Sequence, residues 1–547
     1  MAFARIMRLM RRELDGWRLA GLGWAAVLLL PFLFIFSAWF AEPNEQWLQI
    51  RAYLLKDYVA GTVRLTVLTG LLTALLGVSL AWLVAAHDFP LRRFFRWALL
   101  LPLAIPPYIA AYTYSNMLSY TGVVQKTLRG LGIEVSQKWL AFGSMRGALF
   151  SFVFFLYPYV YLIARTFMER QCASWVENAR LLGARPLTVF FRVALPMARP
   201  AVAGGVALVV YEVLGDYGVT SYFGVRTLTT GIFQTWFGMY DVESAMRLAS
   251  WLMAAVVGLF FLERWLRRGR RYGVSGRSRP IALTRLRGIA AALAFAFCFL
   301  VFALGFLIPV LQLIAWAFLS FEDVWKPRFW RWTLNTVAVA MVAAFAVTAI
   351  SLVVANVCRR RTALNQLLAR WVTAGYAMPG AVIAIGILAV FIELDRLLAP
   401  FYAAAGWGER PLLLSTSVAM LVLGYVIRFT ATGYNSVEAG YEGIGSRFTE
   451  SARLLGHGRT RTFFRVEMPL LRGSIAVGFL LTFVEICKEL PLALLLRPFN
   501  FETLATQTYR YAKDEQIILA ALPSLLVIAV SLLSVAVLHA AERRMER

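Results

Sequence analysis

The chain has 547 residues, of which 60% are hydrophobic, and its formal net charge is +25. This apolar fraction lies well above the ~45–50% of an ordinary soluble domain, so the composition argues against a water-soluble protein. The positive charge alone would suit a nucleic-acid-binding protein. The basic residues fall in short clusters between long apolar runs, however, which argues against that class.

Twelve apolar runs are long enough to cross a bilayer, which takes ~20 residues at the rise of an α-helix. Within lipid the backbone must satisfy its own hydrogen bonds, so we expect each run to be a helix. Pro102, Pro106 and Pro107 predict a kink in the third run, because proline removes a helical hydrogen bond. The predicted spans are residues 19–40, 58–86, 97–118, 145–166, 201–223, 245–264, 289–318, 333–357, 371–394, 412–435, 473–494 and 517–540.

The basic residues predict the orientation of these spans. With the N-terminus in the cytoplasm, roughly two-thirds of the 55 Lys and Arg residues fall in cytoplasmic loops and tails, as the positive-inside rule requires. Both termini are then cytoplasmic. The first run is too long for a secretory signal and has Trp39 where cleavage needs a small residue, so we expect a retained helix. The densest basic cluster, Arg264 to Arg287, is expected to lie on the anionic inner leaflet.

One segment occurs twice in the chain, with matched residues always 273 positions apart. Residues 177–196 read ENARLLGARPLTVFFRVALP, and residues 450–469 read ESARLLGHGRTRTFFRVEMP. The duplication predicts two similar six-helix halves in the same membrane orientation. We place the first half at 1–265 (core about 58–264), a basic cytoplasmic linker at 266–288 and the second half at 289–547 (core about 333–540).

The repeated segments lie between the fourth and fifth span of each half, on the side predicted to be cytoplasmic. A short helix should end near Gly183, which suits a left-handed C-terminal position, and Pro186 can open the next helix. Phe190 and Phe191 then form an apolar knob between arginines. An amphipathic helix on the bilayer surface would have a similar composition. The duplicated spacing of Glu, Gly and Pro favours a docking element instead.

The repeated segments resemble the EAA loop of type I ABC importer permeases, whose pattern is E-A-A-x3-G-x9-I-x-L-P. Asn178, Ser451 and Met468 are mild departures from that pattern. The resemblance covers nearly the whole chain and implies the type I importer fold, all-α with about 12 transmembrane helices in two parallel six-helix repeats. It implies that the loop couples an ATPase dimer to the spans through Glu177, Ala179, Gly183, Phe190, Phe191, Pro196, Glu450, Ala452, Gly456, Phe463, Phe464 and Pro469. It also implies a periplasmic substrate-binding protein and a bacterial cytoplasmic membrane.

A narrower resemblance concerns the substrate. Residues 488–498, KELPLALLLRP, and residues 214–238 are similar to the matching stretches of ferric-iron importer permeases. Permeases for thiamine and phosphonate share the fused architecture, so iron is the favoured substrate among three.

Ionisable residues inside two equivalent spans are candidates for a translocation pathway. They are Glu212 and Asp216 in the fifth span and Glu485, Lys488 and Glu489 in the eleventh. A charge there costs at least ~2.5–3.5 kcal/mol on insertion scales, so each should face a cavity or a partner. An acidic lining would pass a hard cation such as iron. Alternatively, Glu485, Lys488 and Glu489 neutralise one another at helical spacing, or these residues contact the binding protein.

Other functions are disfavoured by what the sequence lacks. No Lys follows a Gly, so there is no Walker A loop, and a separate subunit should bind ATP. No catalytic constellation is seen, and the three His and four Cys lack metal-ligand spacing, so we expect neither an enzyme nor a metal or cofactor site. A secondary transporter of the major facilitator type should carry a basic motif after the second span, and residues 87–93 do not match it.

Overall fold

The computed structural model describes residues 16–133, 136, 142–267, 281–359, 362–406 and 412–546. Much of the predicted linker, residues 268–280, and the basic residues before position 16 lie outside this part. The helices of the first half are Gly16–Ser37, Glu45–Tyr53, Leu55–Ala86, Arg92–Ala98, Pro107–Leu118, Val123–Gly130, Ser144–Gln171, Ala173–Leu181, Pro186–Gly215, Gly218–Tyr222, Leu228–Met239 and Val242–Arg267. Those of the second half are Gly288–Val324, Pro327–Cys358, Ala363–Ala374, Gly380–Ala404, Val418–Ile444, Arg447–Leu454, Arg459–Lys488, Pro491–Leu496, Leu504–Lys513 and Ala521–Glu546.

All twelve predicted runs lie on helices. Within the described residues, eight helices are long and apolar enough to cross a membrane, or nine if one bent pair counts as a single span. The three other runs correspond to Gly380–Ala404, Val418–Ile444 and Ala521–Glu546. The first carries three charged residues within four positions, 393 to 396, and the apolar part of the last, Ala521–Val537, is short.

The third run is broken where its prolines predicted a kink. Arg92–Ala104 and Pro107–Gly130 meet at a bend of 91°. Pro106 has extended backbone, with ψ 135°, and Pro107 opens the next helix, where its missing N–H costs little. The predicted kink is therefore confirmed. The ninth run is interrupted in the same way before Gly380, at Pro379.

The chain forms two compact units, each of which combines segments that are distant in sequence. One contains residues 1–42, 242–250 and 331–503. Within it, helix Gly16–Ser37 packs on Gly380–Ala404, and a Cβ added at Gly386 would lie 2.7 Å from the carbonyl oxygen of Pro31. Close backbone approach through small residues is typical of membrane helices.

The other unit contains residues 43–241, 251–330 and 504–547. Helices Leu55–Ala86 and Pro186–Gly215 both pack on Ser144–Gln171. A Cβ added at Gly77 or Gly205 would lie 2.8 Å from atoms of Val160. These two glycines therefore allow three helices to meet at one point.

Candidate functional site: the repeated segments and the acids of the spans

The two repeated segments have the same local structure. Each begins with a short helix, Ala173–Leu181 in the first and Arg447–Leu454 in the second. Each helix ends at a glycine with positive φ, +77° at Gly183 and +81° at Gly456. L-residues rarely adopt this left-handed conformation, because the Cβ would crowd the following carbonyl. The predicted left-handed position of Gly183 is confirmed.

Hydrogen bonds show that both helices end in a Schellman motif. The amide of Gly183 donates to Arg180 and that of Ala184 to Ala179, both at 3.0 Å. In the second segment Gly456 donates to Arg453 at 3.0 Å, and His457 donates to Ala452 at 3.1 Å. This pairing satisfies the last carbonyls of a helix. The repeated alanine and glycine of each segment thus belong to the same helix C-terminal motif.

The ends of both helices present large apolar side chains to the surroundings. Leu181 and Leu182 are 85% and 88% exposed, and their counterparts Leu454 and Leu455 are 89% and 78% exposed. The second phenylalanine of each knob, Phe191 or Phe464, is also exposed. Exposed apolar patches of this kind occur where a protein contacts another protein or a membrane.

The first phenylalanine of each knob packs against the protein. The Phe190 ring lies 5.4 Å from that of Trp82, and the Phe463 ring lies 4.8 Å from that of Trp17. Both phenylalanines open a π-helical turn, Phe190–Ala194 and Phe463–Glu467, inside an otherwise α-helical segment. Such turns are rare and occur frequently at functional sites. The sequence did not predict them.

The remaining residues predicted for coupling differ between the copies. Glu177 is half-buried and Glu450 is exposed, whereas Ala179 is half-buried and Ala452 is buried. Pro196 and Pro469 are both exposed, each two residues past its π-helical turn and near the start of the span.

A short backbone segment near the end of the predicted linker, residues 281–286, lies against the first repeated segment. Ala282 donates its N–H to Glu177 Oε1 at 3.2 Å and accepts from Arg180 Nη1 at 2.6 Å. Thr284 and Arg285 pair in parallel with His87 and Asp88 at the end of helix Leu55–Ala86. We call residues 281–286 the strap.

His87 lies in the same layer as the strap. Burial lowers the pKa of His87 below its ordinary value of 6.5, and the neighbouring Arg180 charge lowers it further. The lowered pKa favours the neutral imidazole at pH 7. Its ring contacts that of Trp82 at 5.9 Å, and Trp82 also contacts Phe190. The strap, the end of the span and the first knob are thus in one contiguous layer.

A buried carboxylate, Glu467, lies in the second repeated segment at the position of Ala194 in the first. Glu467 is 7% exposed and contacts three groups. Arg359 Nη1 is 2.5 Å from Glu467 Oε1, Thr449 donates to the same oxygen at 2.8 Å, and Tyr441 donates to Oε2 at 3.1 Å. Burial, followed by the Glu467 charge, raises the pKa of Tyr441 well above its ordinary value. Thr449 belongs to helix Arg447–Leu454, so this network connects that helix to Arg359.

Two of the acids predicted for the pathway cap short helices. Asp216 Oδ1 accepts from the amides of Val219 and Thr220 at 2.9 and 3.3 Å, at the start of helix Gly218–Tyr222. Glu489 Oε1 accepts from the amide of Leu492 at 3.3 Å, at the start of Pro491–Leu496. Acidic side chains at helix N-termini are stabilising. These equivalent residues therefore have a structural role whatever else they do.

The acids of the eleventh span also have cationic partners. Lys488 Nζ is 2.8 Å from Glu485 Oε1, so the neutralisation weighed as an alternative holds for this pair. Glu489 pairs with Arg428 instead, at 3.3 Å, and both side chains are largely buried. A Cβ added at Gly380 would meet both members of this second pair. Glu212, on helix Pro186–Gly215, is half-buried.

Arg428 and Glu467 are residues that sequence analysis missed. Arg428 is a lone charge in an apolar span, which is by itself a signal of a buried partner. Glu467 replaces Ala194 of the first copy within a segment that is otherwise closely repeated. That substitution could have indicated that the two copies are anchored differently.

The fold and the paired segments define a class: a helical membrane protein of two repeats, each of which presents an apolar knob between two spans. The chain belongs to the family described as binding-protein-dependent transport system inner membrane component, whose model matches residues 73–312 and 347–547. The predicted fold class and the resemblance to fused type I ABC permeases are thereby confirmed. The chain is the permease component of an importer.

Several curated proteins are similar to this chain. The Fe(3+)-transport system permease protein FbpB 2 of Haemophilus influenzae is 25% identical over 502 residues, 89% of this chain and 91% of that one. The probable ABC transporter permease protein y4fN of Sinorhizobium fredii is 23% identical and covers 88% of this chain and 86% of its own length. The sulfate transport system permease protein CysT of Salmonella typhimurium is 26% identical over 46% of this chain and 92% of its own length.

Among solved structures, one similar chain belongs to a bacterial alginate ABC transporter in complex with an alginate pentasaccharide-bound periplasmic protein. It is 16% identical, covers 46% of this chain and 94% of its own length, and superposes with a TM-score of 0.38.

Proposed function

We propose that this chain is the permease of a ferric-iron importer in a bacterial cytoplasmic membrane, driven by a separate ATPase dimer and supplied by a periplasmic binding protein. The observation that carries the coupling role is the duplicated apolar surface of the repeated segments, which consists of the exposed leucine pair and the phenylalanine knob of each. Two exposed leucine pairs, each next to a glycine-terminated helix, suit two equivalent grooves on an ATPase dimer. ATP is bound by that dimer, and this chain binds no cofactor or nucleic acid.

Ferric iron is supported by the resemblance of KELPLALLLRP and by the similarity to the iron permease of H. influenzae over nearly the full length. Trivalent iron is a hard cation that prefers oxygen ligands. Glu485 and Glu489 are already paired with Lys488 and Arg428, so their pairs carry little net charge. A conduit for iron in this protein therefore depends more on Glu212 and Asp216, or on rearrangement of the pairs during transport.

Neutralising Glu212 and Glu485 together (Glu212→Gln with Glu485→Gln) should slow iron uptake about tenfold, which corresponds to a barrier raised by about 1.4 kcal/mol. The physical reason is that both changes make the path more positive for a multiply charged cation: one removes the Glu212 carboxylate, and the other removes the charge that offsets Lys488. Uptake of radiolabelled iron by cells grown under iron limitation measures the effect, with Glu442→Gln, an exposed acid, as the matched control.

The same cells should be tested for uptake of thiamine, phosphonate and sulfate, with and without the permease. Unchanged iron uptake in the absence of the permease, with loss of one of the other three, would overturn the iron assignment and leave the importer role intact.

The predicted orientation is tested by cysteine labelling at two positions outside the described residues. Ser275→Cys should react only from the cytoplasmic side and Gln137→Cys only from the periplasm. Among native cysteines, burial raises the pKa of the Cys172 thiol to about 12, so it should stay unreactive. Cys358 is partly exposed and should be replaced by serine in both variants. Labelling of Ser275→Cys from outside intact cells would contradict the orientation.

A further inference from the structure

The two repeated segments are anchored to their spans by different chemistry. In the second segment the anchor is polar and is centred on Glu467, which contacts Arg359, Thr449 and Tyr441. The 273-residue offset places Ala194, Ala86, Val176 and Met168 at the equivalent positions of the first segment. All four of these are completely buried and apolar. Apolar side chains thus pack in the first segment at the positions where the second segment has a network of charged and polar groups.

The first segment has an additional anchor in the strap. Glu177 and Arg180 lie three positions apart, on one face of their helix, and together engage both backbone groups of Ala282. Ile281, the first residue of the strap, is 4% exposed, and Leu286 donates to the carbonyl of Asp88 at 2.9 Å. The strap leads directly into helix Gly288–Val324, which begins two residues later. A displacement of helix Ala173–Leu181 must therefore break these bonds or carry the strap with it.

We propose that Glu467 is the positioning residue of the second repeated segment and that the strap is the positioning element of the first. The proposal rests on the proposed coupling role of these segments. It adds that each segment is held in position by its own anchor, independently of the other. Loss of the Glu467 charge loosens the second segment, because Arg359 then loses its buried partner. Loss of the strap loosens the first segment, because Ala282 is the point where the linker is bonded to the helix.

Two variants, one for each anchor, test this inference, and both segments are measured in each variant. Glu467→Gln keeps the size of the side chain and removes its charge. Ala282→Pro removes the N–H that donates to Glu177. The matched controls are Glu442→Gln, an exposed acid, and Leu283→Ala, which changes an exposed side chain and keeps the backbone bonds. Hydrogen–deuterium exchange is measured in the full-length permease without its partners.

Each variant should accelerate exchange at least about tenfold in its own segment and by less than twofold in the other. The segments are residues 447–455 for Glu467→Gln and residues 173–182 for Ala282→Pro. Unchanged exchange in a variant's own segment, or equal acceleration in both segments, would overturn the proposal. If Glu467→Gln does not fold, a quadruple variant introduces the apolar set of the first copy (Arg359→Ala, Tyr441→Met, Thr449→Val and Glu467→Ala). That protein should fold and show nearly wild-type exchange in residues 447–455, and faster exchange there would likewise overturn the proposal.

Transport in the complete importer separates this inference from the coupling role. If exchange changes as expected and transport falls, the result supports both the anchoring of the segments and their coupling role. If exchange changes and transport stays normal, the anchors are real and the coupling role of the segments is wrong.

Discussion

Replacing Gly183 and Gly456 together with arginine should lower substrate uptake to less than a tenth of the wild-type rate while the protein still inserts in the membrane. Both positions have positive φ, and an L-residue in that conformation costs roughly 1–2 kcal/mol. The cost disfavours both Schellman motifs and therefore the position of both leucine pairs. The new guanidinium groups also place charge within the apolar patch. Uptake and ATP hydrolysis measured on the purified importer report the effect.

Asparagine is the matched control at the same two positions. It adopts the left-handed conformation more readily than other L-residues and occurs at this helix position. A Cβ added at Gly183 or Gly456 meets no atom within 4 Å among the described residues, so there is room for it at both positions. The asparagine variants should retain most of the transport. Normal uptake by the arginine variant, with its ATPase still bound, would disprove the coupling role of these loops.

Replacing Arg428 with phenylalanine should destabilise the protein by about 3–5 kcal/mol, the usual cost of leaving one member of a buried ion pair without its partner. Phe155 occupies the equivalent position in the first repeat and is 1% exposed, so the substitution imports a residue that the fold accommodates there. Glu489 would remain 8% exposed without its cation. The midpoint of thermal unfolding in detergent measures the loss.

A second substitution shows whether the loss comes from the orphaned charge. Adding Glu489→Gln to Arg428→Phe removes that charge and should restore more than half of the lost stability. Arg396→Gln is the exposed control, because the Arg396–Glu393 pair lies at 3.6 Å with Arg396 80% exposed. Exposed pairs contribute about 0–1 kcal/mol. An unchanged midpoint for Arg428→Phe would show that the buried pair does not stabilise the fold.

The features that the sequence predicted well are those that depend on the pattern of side-chain types along the chain. Apolar runs located the helices because the bilayer requires both length and hydrophobicity. Pro106 and Pro107 located the break in the third run, and the repeat located two equivalent segments with their glycines. Each of these depends on residue type at fixed spacing, which one sequence displays.

Other features depend on contacts that spacing does not show. The strap engages Glu177 through the backbone of Ala282, and a backbone group has no signature in sequence. Arg428 and Glu489 are 61 positions apart, so no spacing along one helix links them, and the sequence grouped Glu489 with Glu485 and Lys488 instead. The π-helical turns at Phe190 and Phe463 arise from helix packing and not from composition.

The make-up of the compact units has a consequence for synthesis of the chain. Helix Gly16–Ser37 belongs to the same unit as residues 331–503, and it packs there on Gly380–Ala404. A ribosome adding ~5–20 residues per second needs roughly 17–70 s to cover the ~340 residues between these two helices. The first helix must therefore wait in the bilayer without its packing partner for that time. Leu28 and Ile35, which are 2% and 0% exposed in the folded chain, must be covered by lipid until the second repeat arrives.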